Sequence, residues 1–221
     1  MSRRNLVLTT GEIYHVFNRS IAKQNIFDNK FMLNKVLEII DFYRFPQELR
    51  LSKFNKLPKE TKQSYFESYR SKIPFIEIYS FAFMSNHFHF LLRQIQENGI
   101  IKFISNSQNS FAKFFNLKNN RNGALFENSF KAKRVESDEQ FLHISRYIHL
   151  NPVTSYLIKL KDLETYPYTS FPIYLKNDVN FLIEGRLLKS FFKSINDYRE
   201  FVIDQSNYQK QLKLIKDLII E

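Results

Sequence analysis

Residues 76–92 read IEIYSFAFMSNHFHFLL, and this stretch predicts two β-strands with a short turn between them. Phe, Ile and Leu dominate it, and the break falls at Ser85-Asn86, a pair typical of turns. The second strand begins with His87 and His89, which are separated by one residue. Because side chains alternate along a strand, both imidazoles lie on one face and can hold one metal ion. A bare His-x-His pair also occurs as two ordinary, partly buried histidines, so further evidence is needed.

A second segment, SRYIHLNPV at residues 145–153, lies near the end of a predicted amphipathic helix that begins at about residue 137. Tyr147 and Asn151 are four residues apart, and residues with this spacing share one face of a helix. Pro152 disfavours the α conformation at Asn151, so the shared face requires the helix to continue past that residue. Taken alone, Tyr147 is also compatible with an ordinary core tyrosine.

Four motifs follow one another along the chain. They are YHVFNR at 14–19, HFH at 87–89, GALFENSFK at 123–131 and RYIHLNPV at 146–153. With these motifs in this order, the chain resembles the REP-associated tyrosine transposases, a branch of the HUH single-strand DNA endonucleases. HUH denotes two histidines on either side of a hydrophobic residue U, which is Phe88 in this chain. The resemblance covers about residues 11–175. Two positions depart from the family pattern: Ser85 stands where Pro is usual, and Thr154 stands where Arg often follows Asn-Pro-Val.

This resemblance implies a metal-dependent single-stranded DNA endonuclease and strand transferase that acts in transposition. It makes Tyr147 the nucleophile, which forms a 5'-phosphotyrosine bond, and it makes His87, His89 and Asn151 the ligands of a divalent cation. Imidazole with a carboxamide oxygen suits Mg2+ or Mn2+, and Mn2+ is the better match for two imidazoles. A closed structural zinc site would need cysteines, and the chain has none.

Three other histidines receive simpler interpretations. His143 and His149 flank Tyr147 on the predicted helix and are expected to be surface or packing residues. His15 lies on the first predicted strand, and it reaches the site only if that strand neighbours the strand of His87.

Composition favours a nucleic-acid partner, because the net charge is +11 and the pI is about 9.6. Lysine and arginine alternate with aromatic residues, so rings can stack on unpaired bases while cations follow the backbone. Most of the 24 phenylalanines are nevertheless expected in the core. The partner expected from the resemblance is single-stranded DNA with a hairpin or repeat sequence, and both a homodimer and a monomer stay open. The candidate DNA contacts are Arg19, Arg121, Lys131, Lys133 and Arg134.

The absence of cysteine excludes disulfides and thiol chemistry and suits a reducing compartment. The apolar stretch at residues 6–8 is too short for a signal peptide, and no segment approaches the ~20 residues of a membrane span. We therefore expect a cytoplasmic protein with no membrane partner.

Periodicity predicts a ferredoxin-like (RRM-like) α+β fold, with an antiparallel sheet, helices on one face and a C-terminal helical extension. Asp28 is the expected cap of the first helix, and Ser137 with Gln140 is the expected capping box of the tyrosine helix. The predicted strands are 12–19, 75–84, 87–93 and 124–135. The predicted helices are 29–45, 59–70, 99–116, one beginning at 137, and then 181–192, 195–203 and 208–220.

This pattern predicts a catalytic domain at residues 1–175, with a charged surface insertion at about 46–74, and the extension at 176–221. The extension is either an accessory DNA-binding piece or a helical brace, and its mixed charge favours the brace. Two alternatives to the covalent enzyme are kept: a noncatalytic or domesticated nucleic-acid-binding protein that retains the fold, and a metal nuclease that uses water.

Overall fold

The computed structural model describes residues 7–176 and 182–204. Four strands form one antiparallel sheet in the order β2-β3-β1-β4. The strands are β1 Ile13–Arg19, β2 Ile76–Phe83, β3 His87–Gln94 and β4 Lys131–Arg134. The helices are α1 Lys30–Tyr43, α2 Leu51–Phe54, α3 Lys59–Arg70, α4 Gly99–Lys118, α5 Asp138–Thr154, α6 Phe171–Leu175, α7 Arg186–Ser190 and α8 Ile195–Ile203.

The chain crosses over twice between strands, through α1 from β1 to β2 and through α4 from β3 to β4. Both helices pack on the same face of the sheet, against alternate residues of the strands such as Phe81, Phe83, Phe88 and Phe90. This order and the paired crossover helices confirm the ferredoxin-like α+β prediction.

The opposite face of the sheet is covered by α5, the tyrosine helix. Tyr79 of β2 and Leu91 of β3 form a second core there with Phe141 and Ile148 of α5. This core also takes in Tyr198 and other buried residues of α6 to α8. Helices therefore lie on both faces of the sheet, which corrects the predicted placement on one face. The predicted site residues Tyr147 and His89 meet between α5 and the sheet.

The tyrosine helix begins at its predicted cap, since the Ser137 hydroxyl accepts a hydrogen bond from the Gln140 backbone at 3.2 Å. The predicted reciprocal bond is wrong by one residue, because the Gln140 side chain accepts from the backbone of Glu136 instead. The helix continues through Pro152 to Thr154. Residues 147 and 151 therefore do share a face.

Two further local predictions are corrected. The first helix is capped by Asn29 rather than Asp28, because Asn29 Oδ1 accepts from the Met32 backbone at 3.0 Å. The predicted strand 124–135 is a strand only at Lys131–Arg134. Its earlier part is an irregular segment with a single bridge between Ser20 and Phe126.

The insertion contributes to the core, because Tyr69 of α3 is buried against Phe42 of α1 and Phe54 of α2. The helix predicted at 59–70 is confirmed. The domain boundaries themselves stay a prediction.

At the C-terminal end, the helix predicted at 195–203 is confirmed, whereas the helix predicted at 181–192 is short, at Arg186–Ser190. Its first residue, Phe181, and the helix predicted at 208–220 lie outside the described residues. No helix in the described part of the chain is long and apolar enough to cross a membrane.

Candidate active site

The register between β1 and β3 places four aromatic or imidazole side chains on the face below α5. Phe17 pairs with His89, and Arg19 pairs with His87. Directly opposite residues of an antiparallel pair point to the same face, and residues two apart on one strand do so as well. His15, Phe17, His87 and His89 therefore lie together on this face.

His15 is in direct contact with His89. Its Nε2 lies 3.0 Å from Nδ1 of His89, and the two rings are nearly parallel, with centroids 5.2 Å apart and planes 22° apart. Burial, together with the nearby charge of Lys133, lowers the pKa of His15 to about 4. His15 is therefore neutral at pH 7.

His87 also has a partner at Nδ1. That nitrogen lies 2.6 Å from Oδ1 of Asn86, and because a carboxamide oxygen can only accept, His87 donates from Nδ1. The Asn86 amide in turn donates to the backbone oxygen of Lys23 at 3.1 Å. The rings of His87 and His89 are 5.2 Å apart and nearly perpendicular. Both histidines thus have a contact within the protein at Nδ1, so a metal would be bound through Nε2.

The helix α5 brings Tyr147 over these rings. Its ring stands edge-on to His89 at 5.6 Å and to His15 at 6.0 Å between centroids. The residue is 41% exposed, so part of its side chain is open to solvent. Burial of part of the ring raises the pKa of Tyr147, and hydrogen bonding from the Asn151 side chain opposes that shift.

Asn151 is almost fully buried one helical turn after Tyr147. Its interaction with the phenol is weak, since Nδ2 of Asn151 has no partner of regular hydrogen-bond geometry among the described residues. A buried carboxamide without a strong partner is costly in isolation. Because Nδ2 is an N–H donor, its missing partner is an acceptor such as a phosphate oxygen, whereas a cation would be held by Oδ1.

The donor set can be tested against a divalent cation. Within residues 7–176 and 182–204 no cluster of three or more His, Cys, Asp or Glu side chains is placed to hold a metal. A cation at this site would therefore rely on the two imidazoles of His87 and His89 and the carboxamide of Asn151. Two nitrogens and one oxygen fit a Mn2+ or Mg2+ ion that keeps positions for water and phosphate.

The other side of α5 anchors the helix. His149 is fully buried between the Ser170 hydroxyl and the Tyr198 phenol, 2.7 Å from each. Burial lowers the pKa of His149 to about 3. Arg146 stacks on the ring of Phe201 in α8, at 4.3 Å. The motif RYIHLN thus alternates between residues that hold α5 in place and residues that face the site.

His143 is exposed and accepts a hydrogen bond from Arg146 at 2.6 Å, while His149 is a packing residue. Both histidines therefore have the roles that the sequence predicted for them.

A cleft of about 360 Å³ adjoins the two histidines of β3. Its walls combine cationic, amide and aromatic groups, and Arg19 and Glu127 form an ion pair of 2.9 Å at one side. The lining residues are Phe17, Asn18, Arg19, Lys23, Asn86, His87, His89, Glu127 and Lys131.

The structure separates the five predicted DNA contacts into two groups. Lys131 and Lys133 pair with Phe17 and His15, so they lie on the face of the site, and neither forms an ion pair with any residue that the structure describes. Arg19 lies beside the histidines but is paired with Glu127.

The other two predicted contacts lie elsewhere. Arg121 donates to the Asn116 side chain and to the backbone of Ala124, and so holds the loop after α4. Arg134 pairs with Tyr14 on the opposite face of the sheet and is bound to Glu12 at 2.7 Å.

The two departures from the family pattern are accommodated locally. The backbone oxygen of Ser85 accepts from Ile26 and Phe27 at 2.8 and 2.9 Å, so this turn is held by the segment after β1. The Thr154 hydroxyl is buried and donates to the Asn151 backbone at 3.2 Å. Thr154 thus supports the end of α5 and takes no surface position.

Sequence reasoning missed two residues of the site. His15 is not among the predicted site residues, because the sequence leaves the neighbour of its strand open, although the ferredoxin-like order places β1 beside β3. Asn86 is predicted only as a turn residue. The alternation of residues 14–17 and the predicted topology together contained the signal for His15, whereas no local pattern pointed to the side-chain contact of Asn86.

Comparison with known proteins gives one match at the level of sequence families. Residues 48–151 match the family described as "Transposase IS200 like". This region contains β2, β3, α4, β4 and α5 up to Asn151, and it excludes β1. No curated protein matches the chain.

Two solved structures are similar. One is described as a REP-associated tyrosine transposase bound to a REP hairpin; it is 13% identical, has a TM-score of 0.51, and covers 84% of this chain and 92% of its own. At this identity the likeness concerns the fold. The second is described as a "putative transposase" from Deinococcus radiodurans R1, with 13% identity, a TM-score of 0.37, and coverage of 67% of this chain and 95% of its own.

Proposed function

We propose that this chain is a REP-associated tyrosine transposase-like protein, and that it cleaves and rejoins single-stranded DNA through a 5'-phosphotyrosine intermediate, with a divalent cation held by His87, His89 and Asn151. The observation that supports this most directly is the position of Tyr147. A partly exposed tyrosine stands 5.6 Å, ring to ring, from His89 of the His-Phe-His strand.

In the proposed reaction, the Tyr147 oxygen attacks a backbone phosphorus and the bond from phosphorus to the 3'-oxygen breaks. The phenol loses its proton to solvent, and the departing 3'-oxygen takes up a proton to become a free 3'-hydroxyl. The phosphodiester is kept as a tyrosine ester, so rejoining to another 3'-hydroxyl needs no external energy source. This is the chemical advantage of tyrosine over water as nucleophile.

A phenol with a raised pKa is a weak nucleophile at pH 7, so the phosphate must be made more reactive. When bound, the cation polarises a nonbridging phosphate oxygen and offsets charge on the leaving oxygen. The residues of the chain contribute position: α5 sets the phenol over the imidazoles, and Asn151 lies one turn further on the same helix.

The DNA strand is proposed to run over the cleft beside the histidines. Lys131 and Lys133 supply positive charge there, and the partly exposed ring of Phe17 offers a surface for an unpaired base. The structurally similar transposase is bound to a REP hairpin. We extend this to the present chain by proposing that its substrate carries a hairpin or repeat next to the cleaved strand.

The test is to incubate the protein with Mn2+ and end-labelled single-stranded hairpin oligonucleotides, and to separate the products on a denaturing gel. Label that stays with the protein is expected, and Tyr147→Phe or EDTA is expected to remove it. Tyr156→Phe is the matched control, because Tyr156 is 66% exposed, nine residues further along and not in contact with the histidines.

Other outcomes would each overturn the proposal in a different way. Cleavage that survives in Tyr147→Phe without an adduct would show a nuclease that uses water. DNA binding without cleavage across a broad hairpin pool, with Mn2+ present, would indicate a noncatalytic binding protein.

A further inference from the structure

We infer that His15 is a positioning residue for the metal site: it accepts the Nδ1 proton of His89 and thereby keeps His89 in the tautomer whose Nε2 can bind the cation. The inference rests on the proposed function, because it concerns the same site. His15 lies on β1, outside the region that matches the transposase family, and neither the family match nor the motif HFH points to it.

The contact between the two histidines is well defined. Nε2 of His15 and Nδ1 of His89 are 3.0 Å apart, within the range of a hydrogen bond. Phe17 contacts both rings, with centroids 5.1 Å from His15 and 5.5 Å from His89. The backbone supports this arrangement, because Phe17 lies directly opposite His89 in the sheet and His15 lies on the adjacent diagonal.

The chemistry of a neutral imidazole limits what this contact can be. Each ring carries one N–H donor and one acceptor nitrogen, so one of the two facing nitrogens must hold the proton. If His89 donates from Nδ1, its Nε2 keeps a lone pair and can bind a metal. If His15 donates instead, the proton of His89 is on Nε2 and that atom cannot bind a metal.

The proposed cation, shared with His87, decides between these alternatives. The Asn86 oxygen can only accept, so His87 carries its proton on Nδ1 and has Nε2 as its ligand atom. A cation shared by both histidines requires His89 to adopt the same tautomer. His15 then does for His89 what Asn86 does for His87, and ligand histidines commonly donate their second N–H to such a partner.

The first experiment measures Mn2+ affinity without DNA, from the electron paramagnetic resonance signal of free Mn2+. His15→Phe keeps a ring but cannot accept, and it is expected to weaken binding about 10- to 100-fold. His15→Gln provides an accepting oxygen and is expected to restore most of the affinity. His143→Phe removes an exposed histidine elsewhere and should leave binding unchanged.

The second experiment reads the tautomer directly, by long-range proton–nitrogen correlation spectra of the metal-free protein. We expect His89 of the wild type to carry its proton on Nδ1, and His15→Phe to shift it toward a mixture of tautomers. A wild-type His89 protonated on Nε2 would overturn the inference without any variant, which matters if His15→Phe does not fold.

These results separate the inference from the proposed function. If the wild type binds no Mn2+, or if the His89→Ala variant binds Mn2+ as tightly as the wild type, the proposed metal site is wrong. If binding depends on His89 but is the same in His15→Phe, the role of His15 is wrong and the proposed function stands.

Discussion

Tyr147 and His89 meet across the interface between α5 and the sheet, with their rings 5.6 Å apart and 85° from parallel. One residue comes from a helix and the other from a central strand, so the contact depends on how α5 docks. That docking is held from behind by His149 and Arg146 of the same helix. The geometry of the site is thus set by a buried network on the side of α5 that faces away from it.

Removal of the Asn151 carboxamide should weaken metal binding. We expect Asn151→Ala to lower Mn2+ affinity about 10-fold or more, because one of three proposed ligands is lost, and to lower DNA cleavage with it. Asn151→Asp keeps an oxygen ligand and adds negative charge, so it should bind Mn2+ at least as tightly as the wild type. Isothermal titration calorimetry measures both, and equal affinity of wild type and Asn151→Ala would exclude Asn151 as a ligand.

Loss of positive charge on β4 should weaken DNA binding in a salt-dependent way. Lys131→Gln and Lys133→Gln are each expected to reduce affinity for single-stranded DNA and to reduce the slope of log affinity against log salt by roughly 0.7, if each lysine neutralises one phosphate. Fluorescence anisotropy between low and moderate salt measures this slope.

Arg134→Gln is the matched control for the lysines, because Arg134 is on the same strand but points to the other face and is paired with Glu12. If Arg134→Gln reduced DNA affinity as much as the lysine substitutions do, our proposal would have assigned DNA binding to the wrong face of the sheet.

The buried His149 should make the protein sensitive to mild acid. Its pKa is about 3 in the folded chain, below the ordinary value of 6.5, so between these values the unfolded chain binds a proton that the folded chain does not. The free energy of unfolding should therefore fall as the pH decreases from about 6.5 toward 3, by at most roughly 1.4 kcal/mol per pH unit from this residue.

Urea unfolding at pH 7, 5.5 and 4.5 measures this dependence. His15 shifts in the same direction, so the test is a comparison with His149→Gln, which should be less stable at pH 7 and show a smaller loss on acidification. If the free energy of unfolding of His149→Gln fell as steeply with decreasing pH as that of the wild type, His149 would not be the group that titrates in this pH range.

Gly99 should not accept a side chain. A Cβ atom there would lie 2.2 Å from the backbone oxygen of Phe75, and that oxygen already accepts from Ile95 and Gln96. Gly99→Ala is expected to destabilise the fold by roughly 2 kcal/mol or more, because the start of α4 must move away from β2.

Gly185→Ala serves as the comparison for Gly99→Ala. Its added Cβ would lie 3.4 Å from the Tyr174 ring and 3.8 Å from Cε of the Lys189 side chain, and we expect a smaller change in melting temperature. Equal melting temperatures for the two variants would contradict the close approach at Gly99.

The sequence alone predicted those features of this protein that depend on local periodicity. The helices at Lys59–Arg70 and Ile195–Ile203 follow from residue spacing and caps, and the shared face of Tyr147 and Asn151 follows from helix geometry. The prediction failed for residues 124–130, since apolar residues such as Leu125 and Phe126 are buried there with only an isolated bridge from Phe126 to Ser20.

Only the tertiary structure decided which side chains meet. It placed His15 against His89, joined Asn86 to His87, and divided the predicted cations into Lys131 and Lys133 on the face of the site and Arg134 on the other. The physical reason is that alternation along a strand is a property of neighbouring residues, whereas register and helix docking are set by hydrophobic packing between segments that are distant in the chain.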